Sequence, residues 1–370
     1  MRRLGISIYP EKDSAENIRK YLQDAKNFGA SRIFSCLLSV EKSADEIKQE
    51  FLAMNRYAHT LGYEVILDVS PRVFEKLGIS YSDLSFFKNI EADGIRLDQG
   101  FTGSEEALMT YNPQGLKIEI NMSNDTHTVD TIMDYQPDRY QLIGCHNFYP
   151  HRYSGLTLEH FNKCTENFKK YGLSTAAFVG SRREGSFGPW PVKEGLCTLE
   201  MHRTLPLDVQ VKHYIEMGSI DDIIISNCYP DAQEQAALQK LDLTVLTLNV
   251  KPVTDQPEIY RKVVYGELQM ERGDVNENMI RSTMTRVKYK GENFPVFNAP
   301  EVIHRGDVCV ESSEYGHYAG EVQIARTEMQ NSGMTNVVGH IREEELFLVD
   351  GLKPWYNTIV KNRYLLKNYE

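Results

Sequence analysis

No apolar run in this chain approaches the ~20 residues that a membrane-spanning helix needs. The six cysteines, at 36, 145, 164, 197, 228 and 309, form no Cys-x-x-Cys pair. Cys36, Cys145 and Cys228 lie within or beside strand-like segments, so the set reads as reduced core residues rather than a disulfide frame or a zinc site. Serine-nucleophile motifs and Gly-x-Gly-x-x-Gly loops are missing. Positive charge is also scarce: 41 Lys and Arg face 52 Asp and Glu, a formal net charge of −11. That balance argues against nucleic acid as a partner, because phosphate-backbone binding needs a basic patch. It leaves room for a small anionic substrate, since a few arginines in a cleft can outweigh the global charge. The opening Met-Arg-Arg-Leu-Gly-Ile-Ser-Ile-Tyr-Pro turns polar too soon for the apolar core of a secretory signal. A cytoplasmic protein without membrane association is expected.

At 370 residues, 41% hydrophobic and 25% charged, the chain has a globular composition and the length of two domains. Apolar segments at 4–9, 32–39, 64–70, 94–99, 116–122, 140–147, 174–180 and 222–227 have the Ile, Val, Leu and Phe content of parallel strands. Amphipathic stretches alternate with them; three of these, at 14–28, 43–61 and 157–171, stop at Gly29, Gly62 and Gly172, as helices do. Eight strand–helix units predict a closed (β/α)₈ barrel, a TIM barrel, over residues 1–245. After Leu241 the rhythm changes. A strand-like run at 243–250 precedes Lys-Pro-Val-Thr-Asp-Gln-Pro, which reads as a linker. Short segments at 258–265, 285–289, 308–311, 320–324 and 335–340 then predict a small β-rich domain over 250–370. The charge run 342–345 reads as a solvated face.

Side chains alternate along a strand, and the apolar set of a barrel strand packs on the helices. With Leu4, Ile6 and Ile8 outward, Tyr9 faces in. Val65, Leu67 and Val69 outward put Asp68 in; Ile95 and Leu97 outward put Arg96 and Asp98 in. Ile118, Ile120 and Met122 outward put Glu119 and Asn121 in. Strand six leaves His146 and Asn147 unresolved, and Asn227 ends strand eight. Buried carboxylates are costly unless paired, so this lumen is too polar for packing alone. The alternative is an ion network in which Arg96 pairs with Asp98 or Glu119. After strand six, His146-Asn147-Phe148-Tyr149-Pro150-His151 suits stacking on a sugar ring, or is a Pro-ended turn. The long connection from Gly180 to Leu205 holds Arg182, Arg183, Trp190, Glu200, His202 and Arg203, and stretches of this length are usually functional or disordered. Arginine forks match phosphate oxygens, and loops after strands seven and eight commonly bind phosphate in this fold. His146 with His151, or Glu200 with His202, has no strong metal spacing, so neither metal nor cofactor is expected.

Facing carboxylates with amide and aromatic groups are the equipment of glycoside cleavage: one acid protonates the leaving oxygen and a second carboxylate attacks C1 or activates water. At these residues the chain resembles a known family. Val65-Ile-Leu-Asp-Val-Ser-Pro71, Gly94-Ile-Arg-Leu-Asp-Gln-Gly-Phe101, His146-Asn-Phe-Tyr-Pro150 with Ser154-Gly155-Leu156, and Gly195-Leu-Cys-Thr-Leu-Glu-Met-His-Arg203 are similar to the 6-phospho-N-acetylmuramidase family. The resemblance implies a barrel followed by a cyclophilin-like domain. It also implies a cytoplasmic bacterial glycosidase of peptidoglycan recycling that cleaves the β-1,4 bond of N-acetylmuramic acid 6-phosphate–N-acetylglucosamine. The expected catalytic carboxylates are Asp98 or Glu119 with Asp68 or Glu200. Arg182, Arg183 or Arg203 would hold the 6-phosphate, and Tyr9, Arg96, Asn121, His146, Asn147, Tyr149, His202 and Asn227 would line the site. The expected partners are the small phosphorylated disaccharide and, at most, further copies of the chain. The rival readings are a phospho-sugar lyase or isomerase at the same mouth, and a non-enzymatic carbohydrate-binding protein.

Overall fold

The computed structural model describes residues 1–37 and 43–362. Eight parallel strands close on themselves: β1 Arg3–Ile8, β2 Ala30–Cys36, β3 Glu64–Val69, β4 Gly94–Leu97, β5 Lys117–Asn121, β6 Leu142–Cys145, β7 Ser174–Val179 and β8 Asp222–Ile225, with β8 pairing back onto β1. Each overlaps its predicted segment; the expected extension of the second strand to 38–39 lies outside the described residues. The helices between them follow from caps and periodicity. Ser14 accepts from Asn17 N at 3.2 Å and opens the helix Ala15–Lys26, which buries Ile18, Tyr21, Leu22 and Ala25 at three- and four-residue steps. Gly29, Gly62 and Gly172 all take positive φ just past helix ends, a conformation that favours glycine.

Inside the barrel, Tyr9, Phe34, Cys36, Cys145, Ala176, Phe178, Ile224 and Cys228 form one buried cluster. The cysteines are free thiols among the described residues. Towards the strand N-termini the lumen turns ionic. Arg32, 1% exposed, donates to Glu119 and to Asp222 Oδ2 (2.5 Å), and Asp222 also accepts a paired contact from Arg3 (2.7 Å for each oxygen). Burial would push the Asp222 carboxyl up, but Arg32 and Arg3 outweigh it and hold it below its ordinary value.

A second compact unit takes the chain from Asp242 onward, together with Ile215–Met217. Its seven-stranded sheet runs in the order β10–β17–β9–β16–β13–β14–β11, where β9 is Leu246–Pro252, β10 Leu268–Met270, β11 Met279–Ser282, β13 Asp307–Glu311, β14 Val322–Ala325, β16 Thr335–Ile341 and β17 Asn357–Asn362. The short pair β12 (Val302–Ile303) and β15 (Met329–Gln330) stands apart. Two expectations fail here, and a third holds only in part. The Pro-rich linker is no linker: β9 runs through Pro252 and is an interior strand of this sheet. Segments 258–265 and 285–289 are helical, as Glu258–Tyr265 and Met284–Lys288. The first buries Tyr260, Val263 and Val264, a helical spacing that its β-branched composition hides. The charge run is solvated only in part: Glu343 and Glu344 are exposed, but Glu345 is fully buried and accepts from Asn249 N (2.7 Å) and Nδ2 (2.9 Å).

The Arg32 network makes a stability prediction. Arg32→Met leaves two buried carboxylates without their shared cation and is expected to cost about 3–5 kcal/mol. Urea denaturation at pH 7 measures this; a loss below ~1 kcal/mol would mean that the network holds nothing together.

Candidate active site at the barrel mouth

The C-terminal ends of β3 and β4 bring two carboxylates to one guanidinium. Asp68 pairs in register with Arg96, and Asp98 follows the end of β4. Arg96 Nη1 donates to Asp68 Oδ1 at 2.6 Å and to Asp98 Oδ1 at 3.3 Å, while Nη2 donates to the Asn147 side-chain oxygen. Asp68 and Arg96 are buried, whereas the Asp98 side chain is 32% exposed. Burial raises the Asp68 carboxyl to about 6, against the pull of Arg96 and with help from the neighbouring Asp98 charge. Burial alone would lower the Arg96 pKa, but Asp68 and the other anions around it raise it above its ordinary value. This cation is therefore permanent, and the Asp68 proton sits in the range where acid–base chemistry operates.

Neighbouring strands complete the mouth. Asn121 Nδ2 donates to Asp98 O (3.1 Å), and its Oδ1 accepts from Ser123 N (3.0 Å). Ser123 Oγ accepts from Asn147 N at 2.7 Å. Tyr149 is half-buried; burial raises its phenol, opposed by a hydrogen bond with Ser123 and by Arg96. Strand six is thereby resolved. Asn147 reaches the lumen, while His146 turns to the helix Leu158–Lys169, stacking on Phe161 at 4.2 Å and bonding Thr165 Oγ1 through Nε2 at 2.9 Å. Burial lowers the His146 pKa to about 3, so the ring is neutral and structural.

Other expected site residues are placed elsewhere. Glu119 stands in register beside Arg96 but is fully buried and paired with Arg32. Both Glu200 oxygens are occupied: Oε1 accepts from Tyr153 N (2.9 Å) and Arg203 Nε (2.8 Å), and Oε2 from Gly155 N (2.8 Å) and Arg203 Nη2 (2.7 Å). The Arg203 contact first, and then the backbone donors, lower its carboxyl to about 2. Arg203 also donates through Nη1 to the carbonyls of Tyr149 and Glu194, both at 3.1 Å. Glu200 and Arg203 therefore form a clamp between two loops rather than an acid and a phosphate ligand. His202 is buried, with Nε2 2.8 Å from His213 Nδ1. Asn227 bonds both backbone polar atoms of Ser181. Tyr9 belongs to the apolar cluster, and its hydroxyl donates to Ser226 O at 2.5 Å. Arg182 and Arg183 are exposed. They line a cavity of about 490 Å³ together with Arg152, Lys193 and the edge of Arg203.

Family models for the 6-phospho-N-acetylmuramidase N-terminal and C-terminal domains match residues 4–240 and 246–360. The chain belongs to the 6-phospho-N-acetylmuramidase family. A crystal structure of an uncharacterized B. cereus protein is 44% identical, covering 98% of this chain and 99% of that one, with a TM-score of 0.89. A conserved Enterococcus faecalis protein of unknown function is 20% identical, covering 99% and 98%, with a TM-score of 0.71, which shows a shared fold. No curated protein matches the chain.

In this family member the mouth gathers Asp68, Arg96, Asp98, Asn121, Asn147 and Tyr149 from the expected set. Sequence reasoning missed Arg32 and Asp222, whose pairing needs the barrel closed. It also missed Arg152 and Lys193; each flanks a motif or lies in the long loop, which was the available signal. Among the described residues no three His, Cys, Asp or Glu side chains meet in a way that could hold a metal, and no helix is long and apolar enough to cross a membrane.

The clamp predicts a pH-dependent stability. Glu200 is depressed when folded, so its contribution is present above its unfolded value of roughly 4.3 and fades as pH falls towards about 2. Glu200→Gln should therefore lower Tm at pH 7, and the gap to wild type should narrow through that window. A gap independent of pH would argue against the clamp.

Proposed function

We propose that this chain hydrolyses the β-1,4 bond of N-acetylmuramic acid 6-phosphate–N-acetylglucosamine, in the cytoplasmic recycling of bacterial peptidoglycan. By the same resemblance we read its second domain as cyclophilin-like. The observation that carries the proposal is the shared guanidinium: a protonatable Asp68 and a partly open Asp98 sit on one nitrogen of Arg96 in a chain of the muramidase family. Asp68, titrating near 6, is the general acid that gives its proton to the departing O4 of N-acetylglucosamine. Asp98 faces the anomeric centre, as nucleophile or as the group that orients the substrate's own 2-acetamido oxygen. Arg96 keeps Asp98 in place as charge develops, and Asn147 and Tyr149 engage the sugar hydroxyls.

Spacing supports retention of configuration. The two oxygens contact the same nitrogen at 2.6 and 3.3 Å, so they lie closer than the ~6.5–9.5 Å separation that admits water between the carboxyls of an inverting enzyme. The open guanidiniums of Arg182 and Arg183, beside Arg152 and Lys193, suit the 6-phosphate.

Five outcomes are expected. Asp68→Asn and Asp98→Asn should each lose about 10²–10⁴ in kcat on the phosphorylated disaccharide while remaining folded; near-full activity in both would sink the assignment. The wild-type rate should fall on the alkaline side with an apparent pKa near 6 as Asp68 loses its proton. The product should first appear as the β anomer by NMR. In ¹⁸O water the label should enter the anomeric hydroxyl, whereas an unlabelled product would favour the lyase or isomerase. Arg182→Gln with Arg183→Gln should raise KM for the phosphorylated substrate by ~10-fold or more, with little change for the unphosphorylated one.

A further inference from the structure

The second domain holds a cavity of about 780 Å³ that the barrel chemistry does not use. Its floor is a row across three adjacent strands. Lys251 on β9 stands opposite His340 on β16, and His340 opposite Asp307 on β13. Directly opposed residues project from the same face of a sheet with Cβ atoms ~5 Å apart, and all three line the cavity. Within the row, the polar groups differ in what they have left to offer. Asp307 is buried and spends both oxygens inside the protein: Oδ1 contacts His340 Nδ1 at 2.9 Å, and Oδ2 accepts from His304 N at 2.8 Å. It fixes the imidazole and leaves Nε2 for a ligand. His340 is 45% exposed at its side chain, and Lys251 is exposed. The open groups in the floor are thus the Lys251 ammonium and, in the doubly protonated ring paired with the Asp307 carboxylate, the Nε2–H of His340 one strand apart, a span that an oxyanion with several oxygens can bridge.

The cavity is far larger than an inorganic ion and falls in the size range of small-molecule sites. Phe297 contributes a half-buried aromatic face, and Asn298, Thr254 and Asp255 add hydroxyl-binding groups. An apolar ring face beside neutral and acidic hydrogen-bonding groups suits a polyol attached to the anion rather than the anion alone. We propose that this domain carries its own binding site for a phosphorylated monosaccharide, with the phosphate held between Lys251 and His340 and the sugar ring against Phe297. The site stands on residues of the second domain alone and is independent of what the barrel hydrolyses.

The test uses the full chain with Arg182→Gln and Arg183→Gln, which removes the open arginines of the barrel cavity from the titration. Histidine rings are ¹³C-labelled, and the His340 signal is assigned by its loss in His340→Gln. Titration with N-acetylglucosamine 6-phosphate should move the His340 signal saturably. Lys251→Gln should weaken that binding at least ~10-fold, the cost of a charge-assisted contact, with Tm unchanged at this exposed position. N-acetylglucosamine without phosphate should produce no saturable shift, and inorganic phosphate should bind at least ~10-fold more weakly than the sugar phosphate. No saturable shift up to about 10 mM, or equal affinity in folded Lys251→Gln, overturns the site. Equal affinity for inorganic phosphate and the sugar phosphate overturns the sugar specificity.

Discussion

A carboxylate inside a closed barrel must either find a cation or keep its proton, and in this chain two buried guanidiniums decide which. Arg32 gathers Glu119 and Asp222 near the strand N-termini. Arg96 gathers Asp68 and Asp98 at the strand C-termini. The same ingredients lead to different outcomes because the two sets differ in exposure. Around Arg32 both carboxylates are sealed, a partly exposed Arg3 adds a second cation, and Asp222 is held below its ordinary value. Around Arg96 one cation serves two anions, one of which opens to solvent. Desolvation of Asp68 then outweighs the attraction of Arg96. Attraction at contact distance is worth about 4 kcal/mol in a partly polarisable interior, and desolvation costs several kcal/mol, so the two are of comparable size. Their difference, with the like charge of Asp98 added, carries the Asp68 carboxyl from 3.8 to about 6. A carboxyl raised in this way can hand over a proton; one held down by two guanidiniums, as Asp222 is, cannot.

Alternation along single strands was enough to find Asp68, Arg96 and Asp98, because apolar neighbours on both sides fix which way each side chain points. It was not enough to separate Asp98 from Glu119. Both were expected to face the lumen, and what distinguishes them is exposure and partner. Exposure depends on the closed barrel, and the partner, Arg32, comes from a strand 87 residues earlier. Strand six was ambiguous for a similar reason. His146 and Asn147 are both polar, and the choice rests on Phe161 and Thr165, which lie on the following helix. Glu200 and Arg203 looked like chemistry because charged groups in a long loop often are. Their role became plain only with the backbone donors of Tyr153 and Gly155, more than forty residues away. In the second domain, composition misled outright. Glu258–Tyr265 has the β-branched and aromatic content of a strand, but burial of Tyr260 with Val263 and Val264 follows a helical period.

The long connection after β7 divides its labour in a way that bears on phosphate recognition. Its start is anchored: Ser181 bonds Asn227 through its backbone and Glu234 through its hydroxyl at 2.6 Å, and Arg182 N bonds Glu234 at 2.9 Å. Its end is anchored by the Glu200–Arg203 clamp. Between these fixed points, Arg182 and Arg183 keep their side chains in solvent on a backbone that is held. That is the arrangement a phosphate site needs, since an anion gains most from cations whose positions are set before it arrives. Arg203, the most thoroughly bonded arginine of the loop, is for that reason the least suited to bind substrate. Its guanidinium is already committed to one carboxylate and to the carbonyls of Tyr149 and Glu194. Bonding it to a phosphate would first require breaking contacts that hold the mouth's own loop in place. Under the proposed hydrolysis, selectivity for a phosphorylated sugar would fall to the weakly tethered arginines, and the strongly tethered one would supply the rigidity against which they work.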